Sequence, residues 1–225
     1  MSSTIGELNE KPLHAALKAW VAQPGDALET PLDGYVIDII HGEQLVEIQT
    51  GGFTPLKPKL RALLPKHPVR VVFPVAQEKW IVRLTPDGEV LGRRKSPKRG
   101  DVLDVFTPLV SIVKHIAHPH FSLEVLLIRE EERRVPHAYR GWRRGGWIIY
   151  ERCLLEVLCG QRFETADDFA ALLPADLPQP FTTTDLATAL HRPRGFAGRM
   201  AYCLREMGVL TTSGRRRHGI LYIRR

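Results

Sequence analysis

Residues 35–50 have the sequence YVIDIIHGEQLVEIQT, in which two apolar segments flank a short polar connection. The segments 35–40 and 45–50 consist mainly of residues that favour β-strands. The connection 41–44 contains a glycine, which is typical of a compact hairpin. The sequence therefore predicts two antiparallel strands joined by a tight turn.

Two acidic residues lie within this predicted hairpin. Asp38 is surrounded by five apolar residues, where an ionised carboxylate is costly unless it is paired or binds a metal. Side chains alternate along a strand, so Glu47 and Gln49 lie on one face of the second strand. If the strands pair, Asp38, Glu47 and Gln49 converge on one cleft, and two carboxylates there are suitable ligands for magnesium or manganese.

The surrounding chain predicts an alternation of helices and strands. Periodicity and turn residues indicate helices at 5–22, 55–64 and 102–116, and strands at 69–75, 79–84 and 123–130. Beyond a segment rich in Pro, Gly, Arg and Trp at 135–146, they indicate helices at 147–158, 166–173, 184–190 and 194–207 and a β-turn-β unit at 209–225. The predicted domains are 1–134 and 147–225, with 135–146 as the linker.

The first domain resembles the PD-(D/E)xK nuclease superfamily over residues 1 to about 130. The resemblance rests on a helix that contains an acid, a hairpin that carries Asp38 and then Glu47-x-Gln49, and a following helix. It implies an α/β restriction-endonuclease-like core, a mixed sheet flanked by helices. Glu10 or Glu7 matches the helix acid. Gln49 stands where the family has lysine.

The resemblance implies metal-assisted hydrolysis of a phosphodiester. Asp38, Glu47 and the main-chain carbonyl of Ile48 would hold Mg²⁺ or Mn²⁺, which lowers the pKa of a bound water. Gln49, or a lysine supplied by the next helix as Lys57 or Lys59, would orient that water. The alternative is an inactive relative in which Asp38 binds a neighbouring lysine or a backbone amide.

His14 follows Glu10 by four residues, so the two share one face of the predicted first helix. Either His14 donates a hydrogen bond to Glu10, or it is an isolated, partly buried histidine.

The net charge of +7 is confined to one part of the chain. Residues 181–225 contain nine arginines, no lysine and two acids, whereas the rest of the chain is neutral. A concentrated excess of arginine is what a nucleic-acid contact surface requires. The alternative is a solvated basic tail.

The pattern after residue 181 indicates a helix-turn-helix. Thr182 and Asp185 have the spacing of a capping box, in its aspartate variant, at the start of one helix. The next helix carries an apolar stripe that belongs to a core, formed by Phe196, Ala197, Met200, Ala201, Leu204 and Met207. Gly208 ends that helix, and a basic turn between two apolar segments follows.

This stretch, roughly 147–225, resembles winged helix-turn-helix DNA-binding domains. The resemblance implies DNA contacts from the second helix and the wing, at Arg192, Arg194, Arg199, Arg205, Arg215, Arg216 and Arg217. A second basic segment, at 93–99, is either a clamp on the phosphate backbone or an ordinary solvated loop, and its cations are Arg93, Arg94, Lys95, Lys98 and Arg99.

Composition limits the remaining function classes. The first ten residues lack a signal-peptide core and no apolar run is long enough to cross a bilayer, so we expect a cytoplasmic protein without a membrane partner. Three cysteines suit reduced core thiols. The expected function is a metal-dependent DNA endonuclease. The alternatives are a catalytically inactive DNA-binding regulator with a nuclease fold, and an adaptor in a DNA-processing complex. The expected partner is DNA, and the sequence leaves open whether the chain forms a homodimer.

Overall fold

A computed structural model describes residues 11–216 and 219–225 as a mixed α/β fold with one large sheet, a two-stranded sheet and flanking helices. The strands of the described part are β1 (Ala27–Leu32), β2 (Tyr35–His41), β3 (Gln44–Ile48), β4 (Val69–Leu84), β5 (Val90–Lys95), β6 (Phe121–Pro136), β7 (Trp147–Phe163), β8 (Leu210–Arg216) and β9 (Gly219–Arg224). The α-helices there are α1 (Pro12–Val21), α2 (Leu56–Leu63), α3 (Phe106–Leu109), α4 (Ala166–Ala170), α5 (Thr183–Ala189) and α6 (Arg194–Glu206). None of these helices is long and apolar enough to span a membrane.

The large sheet is mixed. Its strand order is β1-β2-β3-β4-β6-β7, and β5 pairs with β4 beside this path. The strands β1, β2 and β3 form an antiparallel meander, whereas β3, β4 and β6 are parallel. A parallel neighbour requires a crossover connection, and α2 lies in the one between β3 and β4.

The two faces of the sheet are covered by different helices. Leu13 and Leu17 of α1 are buried against Val46 and Val72 on one face. Adjacent residues of the same strands, such as Leu45 and Val71, belong to the cluster that contains α2 and the C-terminal helices. This alternation follows from the two-residue period of a strand, and it places α1 and α2 on opposite sides of β2 and β3.

Two predicted boundaries in the first half of the chain are wrong. The predicted strands 69–75 and 79–84 are one strand, β4, with an irregularity between Ala76 and Glu78. The predicted helix 102–116 is divided into α3 and two short 3₁₀ turns, Val102–Val105 and Val113–His115. Its β-branched residues have restricted χ1 angles, and burial under the sheet decides their conformation more than helix propensity does.

The predicted helix 147–158 is also wrong, because this segment lies in β7. β7 pairs with β6 along its length, from Pro136 opposite Trp147 to Leu123 opposite Phe163. The segment 135–146, which the sequence predicts as a linker, includes the connection between these two paired strands. Cross-strand ion pairs such as Arg133 with Glu151, at 2.7 Å, reinforce the pairing.

The C-terminal segment contains α4, α5, α6 and the hairpin of β8 and β9. The predicted capping box is confirmed: the Thr182 side chain accepts hydrogen bonds from the first turn of α5, and Asp185 bonds back to the Thr182 amide at 2.7 Å. The predicted apolar stripe of α6 is buried. Its core is continuous with that of the large sheet, because Phe169 stacks on Phe163 at the end of β7.

Candidate functional site

Asp38 and Glu47 lie together where β2 and β3 separate. The pairing of the two strands ends at Ile39 opposite Val46, so Asp38 and Glu47 are the next residues along each strand. The Ile48 amide donates a hydrogen bond of 2.7 Å to Asp38 Oδ2. The carboxylate of Asp38 thus replaces the backbone acceptor that continued strand pairing would supply.

His14 extends this group from the first helix. Its Nε2 lies 3.3 Å from Asp38 Oδ2, and both side chains are partly buried. Burial raises the pKa of Asp38, but the hydrogen bonds with His14 and with the Ile48 amide outweigh burial, so the pKa lies below its ordinary value. The sequence predicts Glu10 as the partner of His14, because Glu10 lies one helical turn before it, whereas the Asp38 contact joins distant parts of the chain. Glu7 and Glu10 lie outside the described residues.

Glu47 has the opposite electrostatic behaviour. Burial, together with the nearby charge of Asp38, raises its pKa to about 7. The Lys59 Nζ atom lies 2.5 Å from Glu47 Oε1 and also donates a hydrogen bond of 2.6 Å to the Val36 carbonyl. The site therefore contains one carboxylate that is ionised at neutral pH and a second that exchanges its proton near neutral pH.

Of the two candidate lysines on α2, the structure brings Lys59 to the site. Lys57 is exposed, and burial, the charge of His118 and the charge of Lys57 together lower the pKa of His115. Two residues along a helix correspond to a rotation of about 200°, so both lysines cannot point at the same carboxylates. Of the alternatives Lys57 and Lys59, the structure therefore does not bring Lys57 to the carboxylates.

Gln49 does not bind to either carboxylate in the described contacts. Its Nε2 donates a hydrogen bond of 2.8 Å to the carbonyl of Gly52 and so closes the loop between β3 and α2. Of the three residues predicted to converge, only Asp38 and Glu47 therefore lie together. His14 contacts Asp38, and Lys59 contacts Glu47.

The donor set at this site fits a hard divalent cation. Glu47 Oε1 is buried and accepts no well-directed hydrogen bond from the described residues, although the Lys59 ammonium is close. Two carboxylates and a main-chain carbonyl at Ile48 are oxygen donors of the kind that magnesium and manganese prefer. No group of three or more His, Cys, Asp or Glu side chains with metal-binding geometry occurs within 11–216 and 219–225. Water or a phosphate would have to complete the coordination.

The basic segment 93–99 is largely engaged with acids of the sheet. Arg93 binds Glu131 at 3.0 Å, and both Lys95 and Arg99 bind Glu78, at 3.0 and 3.2 Å. Arg94 and Lys98 are exposed, and the described residues provide neither with an ion pair. Arg93, Arg94 and Lys95 lie in β5, so the predicted loop is wrong for these three residues, although their side chains are exposed.

The predicted DNA-contacting arginines divide into two groups. Arg192 is 22% exposed and binds Asp101 at 2.6 Å and Asp104 at 3.3 Å, so it attaches the C-terminal segment to the rest of the chain. Arg205 binds Glu206 and lies over Tyr202. The remaining predicted arginines of the described part have exposed side chains, namely Arg194, Arg199, Arg215 and Arg216. Arg217 lies outside the described residues.

Arg152 is a further charged residue near the site, and the sequence pattern did not predict it. It contacts the fully buried Glu130 and donates a hydrogen bond of 3.0 Å to the carbonyl of Thr50, just beyond β3. The signal that could have found it is the pair of acids at 130 and 132 within an apolar strand, which requires cationic partners. The incorrect helix at 147–158 concealed that pairing.

We compare the free energy of unfolding of the metal-free Glu47→Gln variant with that of the native protein. The difference is expected to shift in favour of the variant as the pH rises. Because folding raises the pKa of the Glu47 carboxyl group, this group stabilises the native protein fully below its unfolded pKa. That stabilisation is lost as the pH rises through about 7. Between pH 5 and pH 8.5, the free energy of unfolding of the variant should improve relative to the native protein by on the order of 2–3 kcal/mol. Urea unfolding in EDTA measures this change, and a difference between the two proteins that does not vary with pH would contradict it.

Comparison with known proteins defines the family. The model of a family described as Domain of unknown function (DUF8091) matches residues 11–164, and the chain belongs to this family. A protein of Treponema pallidum (strain Nichols), described as an uncharacterized protein, is 35% identical over 185 residues, which is 82% of this chain and 74% of that protein. No solved structure matches. The matched family region extends from α1 to the end of β7 and so includes Asp38, Glu47 and Lys59.

Proposed function

We propose that this protein is a metal-dependent DNA endonuclease with a restriction-endonuclease-like core and a C-terminal winged-helix domain for DNA binding. The observation that carries the proposal is the convergence of Asp38, Glu47 and Lys59 where two strands separate. Two acids and a lysine at one point are the groups that hydrolysis of a phosphodiester needs, to hold a cation and to position a water.

The chain's own residues have distinct roles in this proposal. Asp38, Glu47 and the Ile48 carbonyl would hold Mg²⁺ or Mn²⁺, which supplies Lewis-acid activation of water and stabilises charge on the phosphate. Lys59 would orient the attacking water and lie near the negative charge that develops on the phosphate. His14 would fix the orientation of Asp38, as the hydrogen-bonding partner of a ligand does.

The element order supports the proposed core. A first helix, an antiparallel hairpin with the two acids, a crossover helix and a parallel strand occur in the order that the resemblance requires. Lys59 on α2 occupies the role of the strand lysine that is absent at Gln49. The lysine is thereby supplied by a neighbouring helix.

The C-terminal elements support the proposed winged helix. The helices α5 and α6 follow each other after a turn of four residues, and the hairpin of β8 and β9 comes next. Phe181, just before α5, forms an isolated antiparallel bridge with Tyr222 of β9 and so ties the helices to that hairpin. The last described residues of β8, Arg215 and Arg216, are exposed, as arginines of a wing that contacts phosphates would be.

A test of activity uses supercoiled plasmid, linear duplex and single-stranded DNA, each with magnesium, manganese or EDTA. Cleavage of at least one substrate that requires the divalent metal supports the proposal. Salt-dependent binding of DNA without cleavage under any condition would instead support the second candidate, an inactive nuclease fold that regulates or recruits. That candidate is favoured by the Asp38–Ile48 hydrogen bond, because the carboxylate already has a partner.

Replacing Arg215, Arg216 and Arg217 with alanine is expected to flatten the dependence of log affinity on log salt by roughly 2 to 3 units on duplex DNA. Each phosphate contact releases counterions, and such contacts position the protein without selecting sequence, so all duplexes should lose affinity similarly. Fluorescence anisotropy across a salt series measures the slope. Arg61→Ala with Lys66→Ala and Lys114→Ala removes the same charge elsewhere and serves as the control. An unchanged slope in the wing variant would contradict the proposed wing.

A further inference from the structure

The connection between β6 and β7 presents aromatic side chains to solvent. Tyr139 is 95% exposed and Trp142 is 79% exposed, and only a few residues separate them at the tip of a long hairpin. We name residues 137–146 the hairpin tip. Single exposed apolar residues are common on proteins, but two aromatic rings this exposed on one short turn indicate a contact surface.

The hairpin tip has a defined conformation. The His137 amide donates to the Gly146 carbonyl at 2.8 Å, and the Arg144 amide donates to the Gly141 carbonyl at 2.7 Å. Gly141 has a positive φ of 79°, and a Cβ there would lie 2.3 Å from the carbonyl oxygen of Trp147. The aromatic rings are therefore carried by a fixed turn, which lowers the entropy lost when they bind a partner.

The charge of this region defines the partner's chemistry. Between residues 133 and 150 the chain has five arginines and no acid. Arg143 lies 4.8 Å from the ring centroid of Trp142, and Arg140 and Arg144 are exposed without an ion pair to any described residue. A surface that combines flat aromatic rings with unpaired arginines is complementary to a polyanion with planar groups.

A basic cavity of about 330 Å³ adjoins the hairpin tip through Arg144. The cations in its wall are Lys79, Lys98, Arg134, Arg144 and Arg152, and the acids are Asp104 and Glu132. Glu132 binds both Lys79 and Arg134. Lys98 and Arg144 have no acidic partner among the described residues. The volume is at the lower end for small-ligand pockets, which suits a phosphate group and its attached sugar.

One residue of the cavity wall contacts the backbone that follows β3. Arg152, in its wall, donates a hydrogen bond to the carbonyl of Thr50. Thr50 follows Glu47 closely along the chain, immediately after β3. Arg152 therefore links the cavity wall to the loop that follows the strand of Glu47.

We propose that the hairpin tip and the basic cavity bind an unpaired strand of nucleic acid. Tyr139 and Trp142 stack on its bases, and Lys98 and Arg144 hold its phosphates. The proposal rests on the proposed nuclease function and names its substrate class as DNA with a single-stranded segment. Bases expose their flat faces only when unpaired, so a continuous duplex cannot use the two rings. A lipid surface would engage the rings but has no use for a polar cavity.

The test measures binding of the full-length protein, in EDTA, to fluorescein-labelled oligothymidylate and to a labelled duplex of the same length. Tyr139→Ala with Trp142→Ala should weaken binding to oligothymidylate by about tenfold or more and should change duplex binding much less. Tyr139→Phe with Trp142→Phe keeps the ring faces and should retain affinity. Lys98→Ala with Arg144→Ala should lower the salt dependence of oligothymidylate binding. Trp20→Ala, an exposed tryptophan on α1, is the matched control and should bind normally.

Unchanged oligothymidylate affinity in the double alanine variant would overturn the proposal, as would an equal loss on duplex. Binding to vesicles of phosphatidylserine and phosphatidylcholine is measured as well. If the double alanine variant loses vesicle binding but keeps oligonucleotide binding, the proposal is overturned and a lipid surface is the partner. EDTA prevents cleavage, so these results do not depend on catalysis. A protein that binds oligothymidylate as expected but cleaves nothing with any metal would refute the nuclease function alone.

Discussion

Asp38→Asn is expected to reduce metal-dependent cleavage of DNA by more than about 100-fold. Substituting the hydrogen-bonding partners of metal ligands commonly costs 10- to 100-fold, and loss of a direct ligand should exceed that. Asparagine has nearly the same shape, and its carbonyl oxygen can still accept the hydrogen bond from the Ile48 amide. The change therefore removes a charge from the site with little effect on strand pairing.

The rate of plasmid nicking in magnesium measures this effect. Asp33→Asn is the control, because Asp33 lies in the turn before β2 and binds Lys66 at the surface. Its backbone has a positive φ of 50°, which asparagine tolerates. Cleavage by Asp38→Asn at the native rate would show that Asp38 has a structural role only.

Lys59→Met is expected to reduce cleavage on the order of 10²-fold, whereas Lys57→Met should leave it unchanged. Lys59 contacts Glu47, and positioning of a proton-transfer group typically contributes 10²-fold or more. Methionine keeps most of the aliphatic stem and removes the charge. Because the lysine repels a bound cation, its removal should preserve or strengthen metal binding.

The comparison therefore combines cleavage rates with metal titrations of the two variants. A lysine that acts only through folding would lower both quantities, and the free energy of unfolding would fall with them. An equal loss of cleavage in Lys57→Met would contradict the assignment of Lys59, since Lys57 is exposed on another side of α2.

The hairpin and its acids could be predicted because the determining pattern is local. Strand residues with a two-residue period and a short turn at 41–44 fix β2 and β3. The choice between Lys57 and Lys59 could also have been made from the sequence. Leu56, Leu60 and Leu63 define the buried stripe of α2, and Lys59 lies closer to it than Lys57 does.

The nature of β7 could not be read locally. Its strand conformation depends on pairing with β6, where Arg152 meets Glu130 and Arg133 meets Glu151. Such long-range pairs override the local preference of a segment whose apolar spacing also suits a helix. The role of Arg192 could not be predicted for the same reason. Counting charge locates a basic region, but it does not reveal that Asp101 and Asp104 bind this arginine from far along the chain.

Binding of Mn²⁺, followed by electron paramagnetic resonance, tests the central claim most directly. The native protein is titrated without DNA, alongside a variant that carries both Asp38→Asn and Glu47→Gln. We expect saturable binding of Mn²⁺ to the native protein, competition by Mg²⁺, and no saturable binding to the double variant. Equal Mn²⁺ binding by the two proteins, or none by the native protein, would contradict a metal site at Asp38 and Glu47.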